Sequence, residues 1–400
     1  MTDESFYGSD GKLMLTESGY AGICRSYDPL GRITEESYYG PDGKPTELNM
    51  GQAAVHREYD QNGNITDQIY YGSDGKKKII TKGYAEIRKE YNDQGQVVRE
   101  EYYGEDGKLI ALPDGKAAFE TEYDRYGKPA IVRFYGTDGE PVIVKSGYAE
   151  IHRDYNEQGQ ITAESYYGID GKSLALDSGQ ASDERAYDRN GNMIMRKFYD
   201  VSGNRVVIKS GYSKIEKRYN EKRQVIGESY FSTNDEPIAL SPGQASDTRE
   251  LDDKGNILFQ RFYDVSGNAV IIKNGYAGIR REYNDKKQVV YEEYYGTEDE
   301  RIMVPNRYAA LSREYDEAGN AIVLKFYDLE NKPVIINAGY YELRRQFDDK
   351  KRVIREEFFG LNGEPVNNKD GFSLRLTEYG SDGKATKTMY NLDGDKVEIE

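Results

Sequence analysis

The chain has 400 residues, a net charge of −16 and a mean hydropathy of −0.86. So acidic a surface repels phosphate backbones, and we expect no nucleic-acid partner. No apolar run is long enough for a transmembrane helix, so we expect no membrane insertion, and the 37 tyrosines and 12 phenylalanines are too many for a disordered chain.

A segment of 32 residues recurs along the chain in twelve copies. The copies open at Gly19, Gly51, Gly83, Gly115, Gly147, Gly179, Gly211, Gly243, Gly275, Arg307, Gly339 and Gly371. A fixed short period is typical of a repeat array in which each unit contacts its neighbours. We therefore predict one continuous elongated repeat domain.

The third copy shows the elements of one repeat in chain order. Apolar and polar residues alternate over 84–91 and 97–103, which predicts two strands joined by an Asx- and glycine-containing turn at 92–96. A second turn at 104–108 leads to a third, short strand at 109–112. These elements predict an all-β fold, an elongated β-solenoid or stacked array of antiparallel β-hairpins with three strands per repeat. Helices are excluded because no segment between turns exceeds about ten residues.

A second period of 64 residues lies on top of the first. Position 2 of the repeat is tyrosine and position 18 is glutamate in the same alternate copies. The structural unit is therefore a pair of repeats. The predicted organisation is a partial repeat at 1–18, five double repeats at 19–82, 83–146, 147–210, 211–274 and 275–338, and a terminal double repeat at 339–400.

Aromatic residues concentrate at positions 2, 9, 20 and 21 of the repeat. Such columns predict ladders of stacked rings that hold neighbouring repeats together. Sugars also stack on aromatic rings, so an exposed tyrosine row would suit a glycan. Alternate copies dispense with the tyrosine at position 2, and we choose that row as the ligand-binding candidate. Its members are Tyr20, Tyr84, Tyr148, Tyr212, Tyr276 and Tyr340. Five aromatics fall outside the columns: Phe119, Tyr126, Phe259, Tyr291 and Tyr341.

Two aspartates, Asp183 and Asp247, replace the apolar residue usual at position 5. Each has an arginine two residues further on, Arg185 or Arg249, on the same face of its strand. Two interpretations remain open for both aspartates: a local ion pair, or a polar contact to a ligand.

No catalytic or cofactor-binding constellation is present in the sequence, and we expect a protein that is not an enzyme and holds no cofactor or metal. His56 and His152 occupy the same solvent-facing position three repeats apart, too far for shared chemistry. The aspartate-rich turns at 60–64, 188–192 and 316–320 offer three oxygens at most, whereas calcium takes six to eight. Structural turns are the favoured interpretation, and calcium binding stays an alternative.

The motif Tyr-Asp-x-x-Gly-Asn at 59–64, 187–192 and 315–320 resembles the YD repeats of RHS-type and teneurin-type proteins. The stretch Tyr-Tyr-Gly-x-Asp-Gly-Lys at 102–108 is similar to the tyrosine-rich repeats of Gram-positive surface proteins and of clostridial toxin binding domains. These resemblances imply a bacterial cell-surface or secreted, extracellular setting, with a binding or spacing role.

The sequence thus predicts a non-catalytic repeat module that acts as a stalk or as a glycan-binding surface, with cell-wall or host glycan as its partner. One alternative is a purely structural protein that self-associates end to end through unpaired strand edges. Another is a shell or binding segment of a larger toxin. A six-bladed propeller built from the 64-residue unit fits less well, because ordinary blades have four strands in about 40–50 residues.

Overall fold

A computed structural model describes residues 1–380 and 382–398. Every regular element in these residues is a β-strand, which confirms the all-β prediction. The strands are β1 Thr2–Ser5, β2 Gly22–Tyr27, β3 Ile33–Tyr39, β4 Ala54–Tyr59, β5 Ile65–Tyr71, β6 Glu86–Tyr91, β7 Val97–Tyr103, β8 Ala118–Tyr123, β9 Pro129–Tyr135, β10 Glu150–Tyr155, β11 Ile161–Tyr167, β12 Ser182–Tyr187, β13 Met193–Tyr199, β14 Lys214–Tyr219, β15 Val225–Phe231, β16 Ser246–Leu251, β17 Ile257–Tyr263, β18 Gly278–Tyr283, β19 Val289–Tyr295, β20 Ala310–Tyr315, β21 Ala321–Tyr327, β22 Glu342–Phe347, β23 Val353–Phe359, β24 Leu374–Tyr379, β25 Ala385–Tyr390 and β26 Lys396–Val397.

The chain divides into two compact units, residues 1–185 with 197–208, and residues 186–196 with 209–400. In the first unit each strand from β1 to β12 pairs antiparallel with the next strand in the chain. In the second unit the same holds from β14 to β26. Each unit is therefore a meander of hairpins, as the repeat pattern predicts.

Two strands, rather than the predicted three, form in each repeat. The segment predicted as a third strand at 109–112 makes a single bridge, from Leu109 to Tyr103. Tight turns closed by Gly107 and Gly115 flank this segment and leave too few residues for a ladder. The segment folds back against one face of the sheet, where Ile110 and Leu112 pack against the core of the first unit.

Pairing within a hairpin is more extensive than pairing between hairpins. Six residue pairs join β6 to β7, from Glu86↔Tyr103 to Tyr91↔Val97, with a bulge before Tyr91. Only three pairs join β7 to the next hairpin, centred on Glu100↔Phe119. The seam between hairpins is therefore the weaker part of the ladder.

The sheet has a core face and an open face. Positions 3, 5, 18 and 20 of the repeat point to the core face, where Ile80, Ile87 and Tyr102 are buried together. The small residue at position 3 is fully buried: Ala85 is 0% exposed and hydrogen-bonds strands on both sides, at 2.8 Å to Tyr103 O and to Tyr70 N. Position 3 therefore has room for only a small side chain.

Glutamate at position 18 links neighbouring hairpins on the core face. Arg153 donates to Glu164 at 2.9 Å, and Arg185 of the next repeat donates to the other carboxylate oxygen. Burial favours a raised pKa for Glu164, but the two arginines outweigh burial and hold its pKa below the ordinary value. The same bridge between two cations occurs at Glu36, Glu228, Glu292 and Glu356.

Tyrosine at position 9 fastens most hairpins to the one before. The Tyr91 hydroxyl donates to the backbone carbonyl of Ile65 at 2.8 Å, and the Tyr315 hydroxyl donates to that of Val289 at 2.7 Å. We call this contact the position-9 hydrogen bond. It recurs at Tyr59, Tyr123, Tyr155, Tyr219, Tyr283 and Tyr379.

Candidate functional site

The position-2 tyrosines chosen from the sequence lie within the ring columns of the core face. Tyr84 is 6% exposed, and its ring centroid lies 6.0 Å from that of Tyr70 and 5.2 Å from that of Tyr102. Tyr20, Tyr148, Tyr212, Tyr276 and Tyr340 are half-buried and contact rings of neighbouring strands in the same way. The stacking ladder predicted from the sequence is thus present, and neighbouring rings occupy space that a sugar would need. Glycan binding by this row stays a prediction.

Asp183 and Asp247 are buried in the core face, 1% and 3% exposed. Arg185 Nε donates to Asp183 Oδ1 at 2.7 Å, and Arg249 Nη2 donates to Asp247 Oδ2 at 3.0 Å. Burial raises the pKa of Asp247, and Arg249 partly offsets this rise. The local ion pair is therefore present at both positions, and burial leaves little access for a ligand.

The aspartate-rich turns use their carboxylates on their own backbone. Asp60 Oδ1 accepts from the amides of Asn62 and Asn64 at 2.8 Å, and Oδ2 accepts from Asn64 Nδ2 at 2.8 Å. These hydrogen bonds, the Asn64 side chain first, lower the pKa of Asp60. Within residues 1–380 and 382–398, no three His, Cys, Asp or Glu side chains are grouped to hold a metal ion.

The open face carries a second aromatic row that sequence reasoning left unassigned to a ligand. Position 21 is half-exposed in most copies and hydrogen-bonds carboxylates: the hydroxyl of Tyr103 donates to Glu101 at 2.5 Å, and that of Tyr135 to Glu120 at 2.6 Å. Burial and these carboxylates raise the pKa of both tyrosines to about 12. The alternation of side chains along a strand could have identified this row from the sequence, because position 21 lies on the face opposite to position 20.

Charged side chains on the open face of the first unit form ion pairs with one another. A cleft of about 520 Å³ is lined by Arg99, Glu120 and Arg133, among others. Arg99 pairs with Glu120, and Arg133 Nε donates to Glu150 at 2.8 Å. The cleft therefore presents paired charges beside tyrosine rings.

The open face of the second unit holds two neighbouring clefts with more aromatic walls. The first, here the arginine cleft, has a volume of about 550 Å³, and its walls include Phe259, Arg261, Tyr263, Arg280, Tyr295 and Asp299. The second, here the carboxylate cleft, has a volume of about 500 Å³, and its walls include Glu282, Tyr291, Glu293, Ser312, Tyr327 and Asn331. Both volumes fall within the range of small-molecule sites.

Phe259 and Tyr295 form the aromatic wall of the arginine cleft, with ring centroids 5.6 Å apart and ring planes near perpendicular. Arg280 lies over both rings, 5.1 Å from the first centroid and 5.9 Å from the second. Gly278 makes room for this arrangement, because a Cβ there would lie 3.0 Å from the Phe259 ring. The wall thus combines aromatic faces with a cation.

The chain matches no protein-family model and no curated protein. It is similar in structure to parts of three solved toxin assemblies. TcdB2-TccC3 matches at 11% identity and a TM-score of 0.35, over 94% of this chain and 21% of that chain. TcdB2-TccC3-Cdc42 matches at 14% identity and a TM-score of 0.27, over 95% of this chain and 22% of that chain. The Tc holotoxin pore of Photorhabdus luminescens matches at 12% identity and a TM-score of 0.21, over 92% of this chain and 26% of that chain. The chain spans about a fifth to a quarter of these chains.

In the part of the chain that the structure describes, no helix is long and apolar enough to cross a membrane.

Proposed function

We propose that this chain is a non-catalytic, secreted or cell-surface repeat module whose open sheet face binds glycan. The observation that carries the proposal is the half-exposed aromatic row at position 21, flanked by carboxylates and guanidinium groups. Tyr103 and Tyr135 exemplify the row, since each presents a ring beside a hydrogen-bonded glutamate. Aromatic faces stack on sugar rings, and the charged groups bind sugar hydroxyls.

The proposal is tested by titrating the whole chain with a panel of bacterial cell-wall and host glycans, with binding measured by calorimetry. Tyr135→Leu should weaken binding of any glycan held near this ring. Tyr148→Phe changes only a hydroxyl in the core-face column and should leave the affinity within about twofold. No binding to any glycan, or a loss confined to Tyr148→Phe, would overturn the open-face proposal.

A segment of the wall of a larger toxin is the second candidate function. It is favoured by the unbroken pairing of successive strands within each unit, because a sheet without gaps makes a continuous wall. Antibodies against this chain should then recover it from culture medium in a large particle on size-exclusion chromatography. Recovery as a free monomer would contradict this role. Filaments that form from the pure chain without ligand would instead favour end-to-end self-association.

A further inference from the structure

The open face departs from the repeat at two adjacent copies of the second unit. Position 17 is aromatic in Phe259 and Tyr291 and in no other copy. Both residues lie on the open face, Phe259 opposite Arg280 in β18 and Tyr291 opposite Ser312 in β20. One strand, β18, lies between them, so the two residues are two strand spacings, about 10 Å, apart across the sheet. Each ring forms a wall of one of the two clefts.

The turns above these clefts have also changed. Position 25 is usually glycine with positive φ, as at Gly107 with φ 74°, but here it is Asp299 with φ 64° and Asn331 with φ 61°. Asp and Asn tolerate this left-handed conformation better than other residues with side chains, and Asp235 also adopts it at position 25, with φ 62°.

Both turn side chains hold groups that line the clefts. Asp299 pairs with Arg261, which also donates to Thr297 O at 2.7 Å. Asn331 Oδ1 accepts from Tyr291 OH at 2.7 Å and from Arg301 Nη2 at 2.8 Å. These contacts from the turns therefore fix the lining side chains in place before a ligand arrives, which reduces the entropic cost of binding.

The two clefts differ in charge. The Arg261 side chain is only 12% exposed and is held by Asp299, whereas that of Arg280 is 48% exposed, with its nearest carboxylate oxygen, on Glu293, 3.7 Å away. Arg280 can therefore donate to an added anion. The carboxylate cleft instead presents Glu282 and Glu293, whose oxygens accept hydrogen bonds from hydroxyls, and Glu293 also pairs with Arg301 at 3.5 Å.

We propose that the arginine cleft and the carboxylate cleft together form one binding site for an acidic oligosaccharide. An anionic sugar stacks on Phe259 and Tyr295, and its carboxylate binds Arg280. The neighbouring neutral sugar packs against Tyr291 and Tyr327, and its hydroxyls bind the glutamates and Asn331. This site deepens the proposed function, on which it rests, by naming its location and its class of ligand.

The test is calorimetric titration of the whole chain with a tetrasaccharide of alternating glucuronate and N-acetylglucosamine. The matched ligand is the same tetrasaccharide with each carboxylate reduced to a hydroxymethyl group. Arg280→Met should weaken binding of the acidic ligand about tenfold, the effect of one charge-assisted hydrogen bond, and leave the reduced ligand unchanged. Phe259→Val and Tyr291→Val should each weaken binding of both ligands, and valine already occupies this position at Val323.

The matched control is Arg344→Met. Arg344 occupies the same repeat position as Arg280 and lies over the Phe359 ring at 4.0 Å, but the preceding repeat has Val323 where Phe259 stands. Its loss should leave both affinities unchanged. Equal affinity for the two ligands, or acidic-ligand binding that survives both valine substitutions, overturns this site while leaving open-face glycan binding intact. Failure of every glycan in the wider panel overturns the proposed function as well.

Discussion

At the scale of single residues, differences between copies of the repeat act as natural substitutions. The position-9 hydrogen bond is the clearest case, because its donor is a tyrosine hydroxyl and its acceptor a backbone carbonyl one repeat earlier. Tyr315 makes this bond to Val289 at 2.7 Å. Phe347 holds the same position without a hydroxyl, opposite the equivalent carbonyl of Ala321. One repeat therefore lacks a contact that its neighbour has.

We predict opposite effects for Tyr315→Phe and Phe347→Tyr. The first removes a hydrogen bond from a part-buried carbonyl and should lower the free energy of unfolding by about 1 kcal/mol, whereas the second should raise it by a similar amount. Urea unfolding followed by far-ultraviolet circular dichroism measures both. Two shifts of the same sign would show that the hydroxyl itself is not responsible.

At the scale of the hairpin, the open face contains an electrostatic conflict. Asp67 in β5 lies beside the fully buried Glu86 in β6, and its nearest cation, Arg88, is 3.3 Å away. One Asp67 oxygen is buried and makes no hydrogen bond. Burial, followed by the charge of Glu86, raises the pKa of Asp67 to about 6, while Arg88 acts in the opposite direction. The ionised carboxylate therefore opposes folding at neutral pH.

We predict that Asp67→Asn stabilises the chain above pH 6, by about 1 kcal/mol after solvent screening. A carboxyl with a raised folded-state pKa favours folding below its unfolded value near 4, and this contribution is lost as the pH rises through 6. The advantage of the variant should therefore shrink between pH 6 and pH 4. Urea unfolding midpoints of the parent and the variant at pH 4.5 and pH 7.5 measure this advantage. Asp93→Asn, at an exposed position, is the control. A pH-independent effect would contradict this assignment.

Strand positions could be predicted because alternation and turn residues act locally. The hairpin of β6 and β7 follows directly from the pattern around Gly95, whose φ of 75° closes the turn. The third strand could not be excluded in the same way. Residues 109–112 have a strand-like pattern, but adjacent turns fold them onto the sheet face, and this packing depends on long-range contacts.

The candidate site was less accessible from sequence than the fold. Tyr84 and Tyr103 both belong to aromatic columns, and the columns alone do not say which row neighbouring rings cover. The arginine cleft depends on Phe259 meeting Tyr295, a contact between residues that belong to different repeats. The sequence shows that Phe259 and Tyr291 depart from the repeat. That they line two neighbouring clefts follows only from the register of the strands around them.

At the scale of the whole chain, the 64-residue alternation has a physical basis. Position-18 glutamates occur in alternate repeats, and all of them except Glu100 bind cations of their own and of the following repeat, as Glu164 binds Arg153 and Arg185. Removing one repeat places two copies of the same type side by side, whereas removing two restores the original order. We therefore expect the pair of repeats to be the unit that can be added or lost without disturbing the charge pattern.

We predict that deletion of 83–146, a complete pair, leaves a chain whose thermal midpoint falls by only a few degrees. Deletion of 83–114, a single repeat, should lower the midpoint further although fewer residues are removed, because two repeats of the same type then become neighbours. Differential scanning calorimetry of the two variants and the parent measures this order. A larger loss for the 64-residue deletion would refute the alternation as a structural unit.

The difference in ladder length, six residue pairs inside a hairpin and three across each seam, bears on how the protein responds to pulling. Tension applied to the two ends would part the short seams first and release one hairpin at a time. Each release would lengthen the chain by about 100 Å. Such a module yields in small steps and dissipates force, whereas a globular domain of the same size fails in a single event.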